Sequence, residues 1–208
     1  MNAFFELDRE INDTLCVARL KNNRIAPHFH SHIEIICVLN GEITVSINGN
    51  TQKLKKDDIS IAINFAIHSY MTEDFSEIIV LVIPIEMLKS FLKVIENKDF
   101  SQPFLLSHPI SKEILFCMEK ISNNQFQGNS LKIKGYLYII LSHLIDSLKL
   151  CEINKKQSYF PPREVLIYMQ NNILNNISLK DVANAFGYSK YYFSRFLIRI
   201  LSVVLMNI

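Results

Sequence analysis

The sequence predicts an α+β chain of several domains: an antiparallel β-barrel at the N-terminus, a helical linker, and an incomplete all-α domain built on a helix-turn-helix. Three observations predict it. Residues 33–70 carry short β-branched runs cut by turn residues. From Pro84 onward the apolar side chains recur at helical spacing instead. Residues 177–196 set helix caps, a small residue and a turn glycine where two short helices would meet. The division that follows is 1–83 for the barrel, 84–157 for the helical linker and dimerisation region, and 158–208 for the partial C-terminal domain.

Each strand has its own signal. Ile33 to Leu39 is β-branched and apolar, and Asn40-Gly41 reads as a turn after it. Ile43 to Ile47 alternates apolar and polar side chains, the pattern of a half-buried strand. Asn48-Gly49 is the strongest short-range hairpin signal, because both residues tolerate positive φ. Thr51 to Leu54 returns, Asp57-Asp58 turns again, and Ile59 to Ile63 and Ile78 to Ile83 add two further strands. Short strands at this spacing predict a sandwich or small barrel.

Pro84 marks the change of period. Between Pro84 and Asn97, Ile85, Leu88, Phe91, Leu92 and Ile95 fall on one helical face, with proline near the first turn where it is tolerated. Ser111 to Ser122 repeats the pattern with Ile114, Leu115, Met118 and Ile121. Ser130 to Leu150 is the longest helix candidate. Its stripe of Leu137, Ile140, Leu141, Leu144 and Leu148 fits either a core-facing helix or a dimer-forming one. A polar segment from Glu152 ends in Pro161-Pro162 and reads as a linker, after which helices resume at Arg163.

Composition narrows the function classes. With 49% apolar and 20% charged residues the 208-residue chain is a folded globular protein rather than a disordered one. The opening MNAFFELDRE has no basic-then-apolar start and so no secretory signal, and Tyr136 to Leu150 is too short and too polar to cross a bilayer. A cytoplasmic protein is expected. Cys16, Cys37, Cys117 and Cys151 lie far apart without CxxC spacing, which excludes a zinc finger and a disulfide framework. Residues 1–100 hold 10 Lys and Arg against 14 Asp and Glu, whereas residues 101–208 hold 12 against 6. The basic half points toward a polyanionic partner.

Two constellations carry chemistry. In the first, His28, His30, His32 and Glu34 stand at every second position, and residues two apart on a strand share a face. With His68 beyond a later turn, they offer imidazoles and a carboxylate suited to a first-row metal or a polar effector. His-x-His-x3-Glu-x6-Gly followed by a distant His resembles the two motifs of the cupin superfamily over residues 28–68. By position, the resemblance implies His28, His30, Glu34 and His68 as metal ligands. The second motif, Asp57 to His68, lacks the glycines and proline of enzyme-type cupins. In cupin-like sensor domains the same histidines line an effector pocket without a metal. His28, His30, His32, Glu34 and His68 are therefore expected to bind a small-molecule effector, with no metal, no cofactor and no catalytic residue assigned.

The second constellation runs from Ile177 to Phe196. Ser178 is placed to cap a helix with Asp181 three residues on, a variant of the capping box, and Leu179, Val182, Ala183 and Phe186 form its buried stripe. Gly187 stops that helix and Ser189 caps the next. On the second helix Tyr192, Phe193 and Phe196 are expected to face the core. Lys190, Tyr191, Ser194 and Arg195 are expected on the DNA-facing side: arginine suits guanine edges, Lys190 suits phosphate, and Tyr191 and Ser194 suit either bases or phosphate. Ser-Leu-x-Asp-Val-Ala-x-x-x-Gly-Tyr-Ser-x-x-Tyr-Phe-Ser-Arg closely resembles the first helix-turn-helix of the AraC/XylS transcription regulators, and Val165 to Ile173 resembles the opening helix of their DNA-binding domain.

That resemblance implies an N-terminal barrel that binds a small molecule, often a sugar, and a C-terminal domain that binds promoter DNA. It also implies a second helix-turn-helix, yet only twelve residues follow Phe196 and they are apolar nearly throughout. A frameshift would account for this: read two bases out of phase, Met206-Asn207-Ile208 gives Glu followed by Tyr or His, as the family's Phe-x-Glu-Tyr segment requires. The expectation is a truncated regulator, weak or defective in specific DNA binding, homodimeric, with promoter DNA and an effector as partners and no membrane. Two other classes stay open: a metal-dependent cupin enzyme, and a sensor-only chain that dimerises with intact relatives and inhibits them.

Overall fold

One fifteen-residue strand, β4 (Ile33–Ile47), organises the β-region by belonging to two sheets at once. The computed structural model describes residues 3–6, 8–9, 14–63, 65–95, 98–124, 130–152, 165–166, 168–169, 172 and 175–205. The linker expected after Glu152 and the helix start expected at Arg163 lie outside them. The first half of β4 pairs with β6 (Ile59–Ala62) and β8 (Ser76–Ile83). Strand β2 (Cys16–Lys21) extends that sheet beyond β8, and β10 (Phe104–Leu105) extends it beyond β6. The second half of β4 pairs with β5 (Asn50–Lys55) and β7 (His68–Met71). Beyond β7 come β3 (Arg24–Phe29) and the parallel two-residue β1 (Phe4–Phe5). The result is two five-stranded layers sharing β4. The strand order runs from β1 to β10 without closing on itself, so the barrel expected from the sequence is an open one among the described residues.

The period-two pattern assigns the faces. Ile36, Val38, Val45, Tyr70, Ile78, Val80 and Val82 point between the two layers and form one buried core. Ile33, Ile35, Cys37, Ile59, Ile61, Ile79, Leu81 and Ile83 point the other way and are equally buried. What covers that outer face is helical. A 3₁₀ turn (Ile85–Leu88) leads into α1 (Lys89–Ile95), followed by α2 (Ser111–Asn124) and α3 (Ser130–Ser147). Ile114, Met118 and Ile121 of α2 and Leu137, Ile140, Leu141 and Leu144 of α3 share one core with the sheet. The apolar stripe of α3, legible as either core or dimer seam, is thus spent on the chain's own sheet. A short ladder of β9 (Lys98–Phe100) with β11 (Leu150–Glu152) follows the end of α3. No helix among the described residues is long and apolar enough to cross a membrane.

Further along lie α4 (Leu179–Ala185) and α5 (Lys190–Leu205), with a small core of Val165, Val182, Ala183 and Phe193. The backbone of α5 also approaches β1. Cys37 and Cys117 are buried free thiols, and burial, then the nearby Asp57, pushes the Cys37 thiol up to about 12, out of reach of thiolate chemistry.

Two turn signals came out differently. Asn48 (φ 49) and Gly49 (φ 85) form the expected two-residue hairpin between β4 and β5. Asn40-Gly41, expected to be a turn, lies inside β4 instead. A register shift between Val38 and Asn40 bends the strand there, and Gly41 (φ 72) carries it from one layer to the other. A side chain at 41 would need a left-handed backbone, and its Cβ would collide with the Phe75 carbonyl oxygen, which already accepts from Glu42 N at 2.9 Å. Gly41→Ala is expected to remove on the order of 3 kcal/mol of stability. Urea unfolding measures it; a loss below about 0.5 kcal/mol would show that the corner does not depend on the glycine.

Candidate functional site

Four of the five histidine and glutamate positions singled out in the sequence meet between the two layers. His28, at the end of β3, is the cross-strand partner of His68, which opens β7. The β3–β7 ladder shifts register between Ile25 and His28, the stretch holding Pro27, which has no N–H to donate. Glu34 lies on the inward face of β4 by the same alternation that turns Ile36 and Val38 inward. One nitrogen or oxygen from each of His28, His30, Glu34 and His68 lies within 4.8 Å of every other, and all four residues are buried. His32 does not join them. The chain bends through residues 31–32 rather than continuing as a strand, so the alternation that would put His32 on the same face is broken. Its ring stands edge-on to His30 at 5.9 Å, and its Nδ1 is 3.1 Å from Ser31 Oγ.

The hydrogen bonds orient the rings. His28 Nδ1 donates to the Ala26 carbonyl at 3.0 Å and His68 Nδ1 donates to the Ala66 carbonyl at 2.8 Å. These bonds leave the Nε2 lone pair of both rings facing the cluster, the arrangement that orients ligating histidines. His30 Nε2 is 3.2 Å from Glu34 Oε2, with His68 Nε2 3.7 Å from the same oxygen. Tyr70, two residues beyond His68, donates its hydroxyl to Glu34 Oε1 at 2.5 Å.

Three residues at the site, Tyr70, Glu6 and Phe4, had no place in the sequence reading. The backbone N–H of Glu6 is tied to the Phe29 carbonyl at 3.0 Å. Its Oε2 reaches to 3.7 Å from His28 Nε2 and 3.9 Å from His30 Nε2. Phe4 stacks on His28 with ring centroids 5.5 Å apart. Tyr70 was within reach of the period-two rule applied from His68; Glu6, beside a two-residue strand, left no signal.

Electrostatics follow from this geometry. Burial alone would push the Glu34 carboxyl up, but the imidazoles of His30 and His68 outweigh it and hold the group well below the usual carboxylate range. Burial opposes a charge on His68, yet Glu34 beside it raises its pKa. His28 goes the other way: burial first, then repulsion from His68, lowers it to about 3. Burial and the Glu34 charge drive the Tyr70 phenol well above its ordinary value, so it remains a donor. Glu6 is raised, chiefly by burial.

The donor set fits the divalent metal that the cupin resemblance implies. His68 Nε2 and Glu6 Oε2 are buried with no hydrogen-bond partner among the described residues, and both turn toward the cluster. His28, His30, Glu34 and His68 would hold the ion, which would supply Lewis acidity and a cross-link between β3, β4 and β7.

At α4 and α5 the expected caps are present. Ser178 Oγ accepts from Asp181 N at 3.3 Å while Asp181 Oδ2 accepts from Ser178 N at 2.9 Å. Gly187 takes φ 71 and Ser189 Oγ accepts from Tyr192 N at 3.2 Å. Lys190, Tyr191 (73% accessible) and Arg195 are exposed, Ser194 is half-buried, and the Arg195 guanidinium lies 5.8 Å from the Tyr191 ring centre. Phe193 is buried as expected, but Tyr192 is 56% accessible and joins the exposed face, where it packs against Tyr188. The side chain of Phe196 lies outside the described residues.

Residues 14–141 match the family described as the AraC-like ligand binding domain. Two solved structures share the fold. The AraC-like transcriptional activator CuxR is 12% identical with a TM-score of 0.53, over 83% of this chain and 67% of that one. ToxT from Vibrio cholerae, solved with an unsaturated fatty acid bound, is also 12% identical with a TM-score of 0.53, over 91% of this chain and 74% of that one. No curated protein sequence matches the chain.

The His28 shift makes a pH prediction. The unfolded chain takes a proton on this ring below about pH 6.5, whereas the folded chain refuses it until about pH 3. Stability is therefore lost as the pH falls through that window, by ~2 kcal/mol between pH 6.5 and 5. His28→Asn keeps a donor for the Ala26 carbonyl and removes the titration. Urea unfolding in chelator should show a shallower acid-side slope for the variant; identical slopes would rule out a buried neutral His28.

Proposed function

The chain belongs to the AraC-like ligand binding domain family, and on that premise we propose that it is an effector-responsive transcription regulator. The observation that carries this reading is the buried His28, His30, Glu34 and His68 cluster placed between two sheets of a family sensor domain. The proposed effector meets those residues, with His32 at their margin, and a sugar is one candidate class. Promoter DNA is the proposed second partner. The α4–α5 pair, read as a helix-turn-helix, would enter a major groove with Arg195 at base edges, Tyr191 and Ser194 at bases or backbone, and Lys190 at phosphate. Support comes from the sequence motif, the caps, the φ 71 glycine between the helices and the exposure of three of the four side chains. The AraC-type neighbours agree with a regulator rather than a metal-dependent enzyme.

Phosphate and base contacts from the α4–α5 pair predict binding with steep salt dependence. Selection of the full chain against a random duplex pool should enrich one sequence class. Arg195→Ala should then weaken binding to it roughly 10- to 100-fold and relax one position. Lys190→Ala should weaken all sequences alike and lower the salt slope by about one. A pool that enriches no sequence would defeat the DNA-binding half of the proposal.

The proposal includes a homodimer. Since the inner stripe of α3 is covered, the contact falls to its outer face, where Leu131, Tyr138 and Ile139 are exposed at helical spacing. Ile139→Glu should convert dimer to monomer in sedimentation equilibrium, and a wild-type chain already monomeric at tens of micromolar would refute the contact.

A further inference from the structure

The four-residue cluster has an unfinished edge, and Glu6 occupies it. Its two carboxylate oxygens are differentiated: Oε1 is 3.5 Å from Arg9 Nε, while Oε2 is buried without a hydrogen-bond partner among the described residues and faces His28 Nε2 and His30 Nε2. The backbone holds it there, through the Glu6 N–H to Phe29 and the β1–β3 pairing that sets Phe4 opposite His28. Stacking of Phe4 on His28 and a tilted ring contact of Phe5 with Phe29 anchor the same segment.

Spacing decides what such a cluster can take. Nitrogen and oxygen ligands bind a first-row divalent ion at about 2.1 Å, which puts two ligands roughly 3.0 Å apart at a right angle and roughly 3.4 Å apart at the tetrahedral angle. The separations here are 3.2 and 3.7 Å from Glu34 Oε2 to His30 and His68, and 3.7 and 3.9 Å from Glu6 Oε2 to His28 and His30. The Glu34 separations are those of ligands around one ion, while Glu6 stands beside His28 and His30 but outside the group whose donor atoms all lie within 4.8 Å of one another, and must swing inward to join it. Two carboxylates with three neutral imidazoles would balance a divalent charge.

We propose that Glu6, supplied by the N-terminal segment, is a fifth protein ligand to the divalent first-row ion that the His28, His30, Glu34 and His68 set fits. The inference rests on the reading of this cluster as the sensor's ligand site. Binding then fastens residues 4–6 to the sandwich, because the ion joins Glu6 to β3, β4 and β7. Glu6 is the one member of the set that follows a two-residue strand at the edge of the sheet.

The test is metal binding by the full chain after chelator treatment, using Co²⁺ and Zn²⁺ in competition with a chromophoric chelator. Wild type should bind one equivalent. Glu6→Gln, a part-exposed site that keeps its shape, should bind at least about tenfold more weakly and give a Co²⁺ visible spectrum of lower coordination number. His30→Ala should abolish binding, with urea unfolding of each metal-free variant confirming the fold. Equal affinity and an identical spectrum for Glu6→Gln would overturn the role of Glu6 while leaving the cluster as a metal site. Absence of bound metal in wild type would overturn the inference altogether, and the regulator reading would still stand or fall on the separate DNA selection.

Discussion

A strand that serves two sheets must turn a corner without orphaning its backbone, and nearly everything in this fold follows from how β4 does so. The register shift after Val38 and the left-handed Gly41 let one chain segment hydrogen-bond to β6 and β8, then to β5 and β7. The strand does not break, and the register shift moves the alternation of its side chains by one residue, so that odd positions after the corner take the face that even positions hold before it. Glu34, Ile36 and Val38 before the bend and Val45 and Ile47 after it are all buried toward the space between the layers. A turn at Asn40-Gly41 would have uncoupled those two sets.

The corner also explains which parts of the fold were legible. Ile59–Ala62 and Ser76–Ile83 were visible as strands because their β-branched runs are buried on both faces, one against the opposite layer and one against helices. Cys16–Lys21 and Arg24–Phe29 were not, since each mixes charged, small and apolar residues and one contains proline. Their strand character comes from partners far along the chain, β8 and β7. The Asn-Gly dipeptide illustrates the same limit. Asn48-Gly49 and Asn40-Gly41 are alike locally, and only the Phe75 carbonyl, from the approach to β8, makes the second a corner rather than a hairpin. For the site, spacing was enough to find His28, His30, Glu34 and His68. It overreached at His32, where the assumption of an unbroken strand failed, and it could not see Glu6, whose position depends on a parallel edge pairing.

The C-terminal pair of helices is legible for a different reason. Its signals are local: a reciprocal Ser178–Asp181 cap, the Tyr188 N–H to the Ala183 carbonyl at 2.8 Å after Gly187, and a second cap at Ser189. Caps of this kind depend on residues within one turn, so the sequence states them almost completely. The face of Tyr192 is the exception, because which side of a helix is covered depends on its tertiary neighbours rather than its caps.

The histidine cluster is harder to explain by folding than by ligand binding. Its surroundings are apolar, with Ile36, Val45, Val80 and Val82 filling the same interior layer, so isoleucine or valine at its positions would extend that core. Replacing a buried ion pair with well-packed apolar side chains is often neutral or stabilising, whereas a buried carboxylate carries a desolvation penalty of several kcal/mol that its partners must offset. Glu34 is offset here by Tyr70, His30 and His68, and yet among the described residues His68 Nε2 and Glu6 Oε2 are left without hydrogen bonds. A network assembled for stability would satisfy those atoms. Polar groups that are preorganised, dehydrated and incompletely paired are what a site needs before its ligand arrives, and the missing bonds define the shape and charge of what completes it.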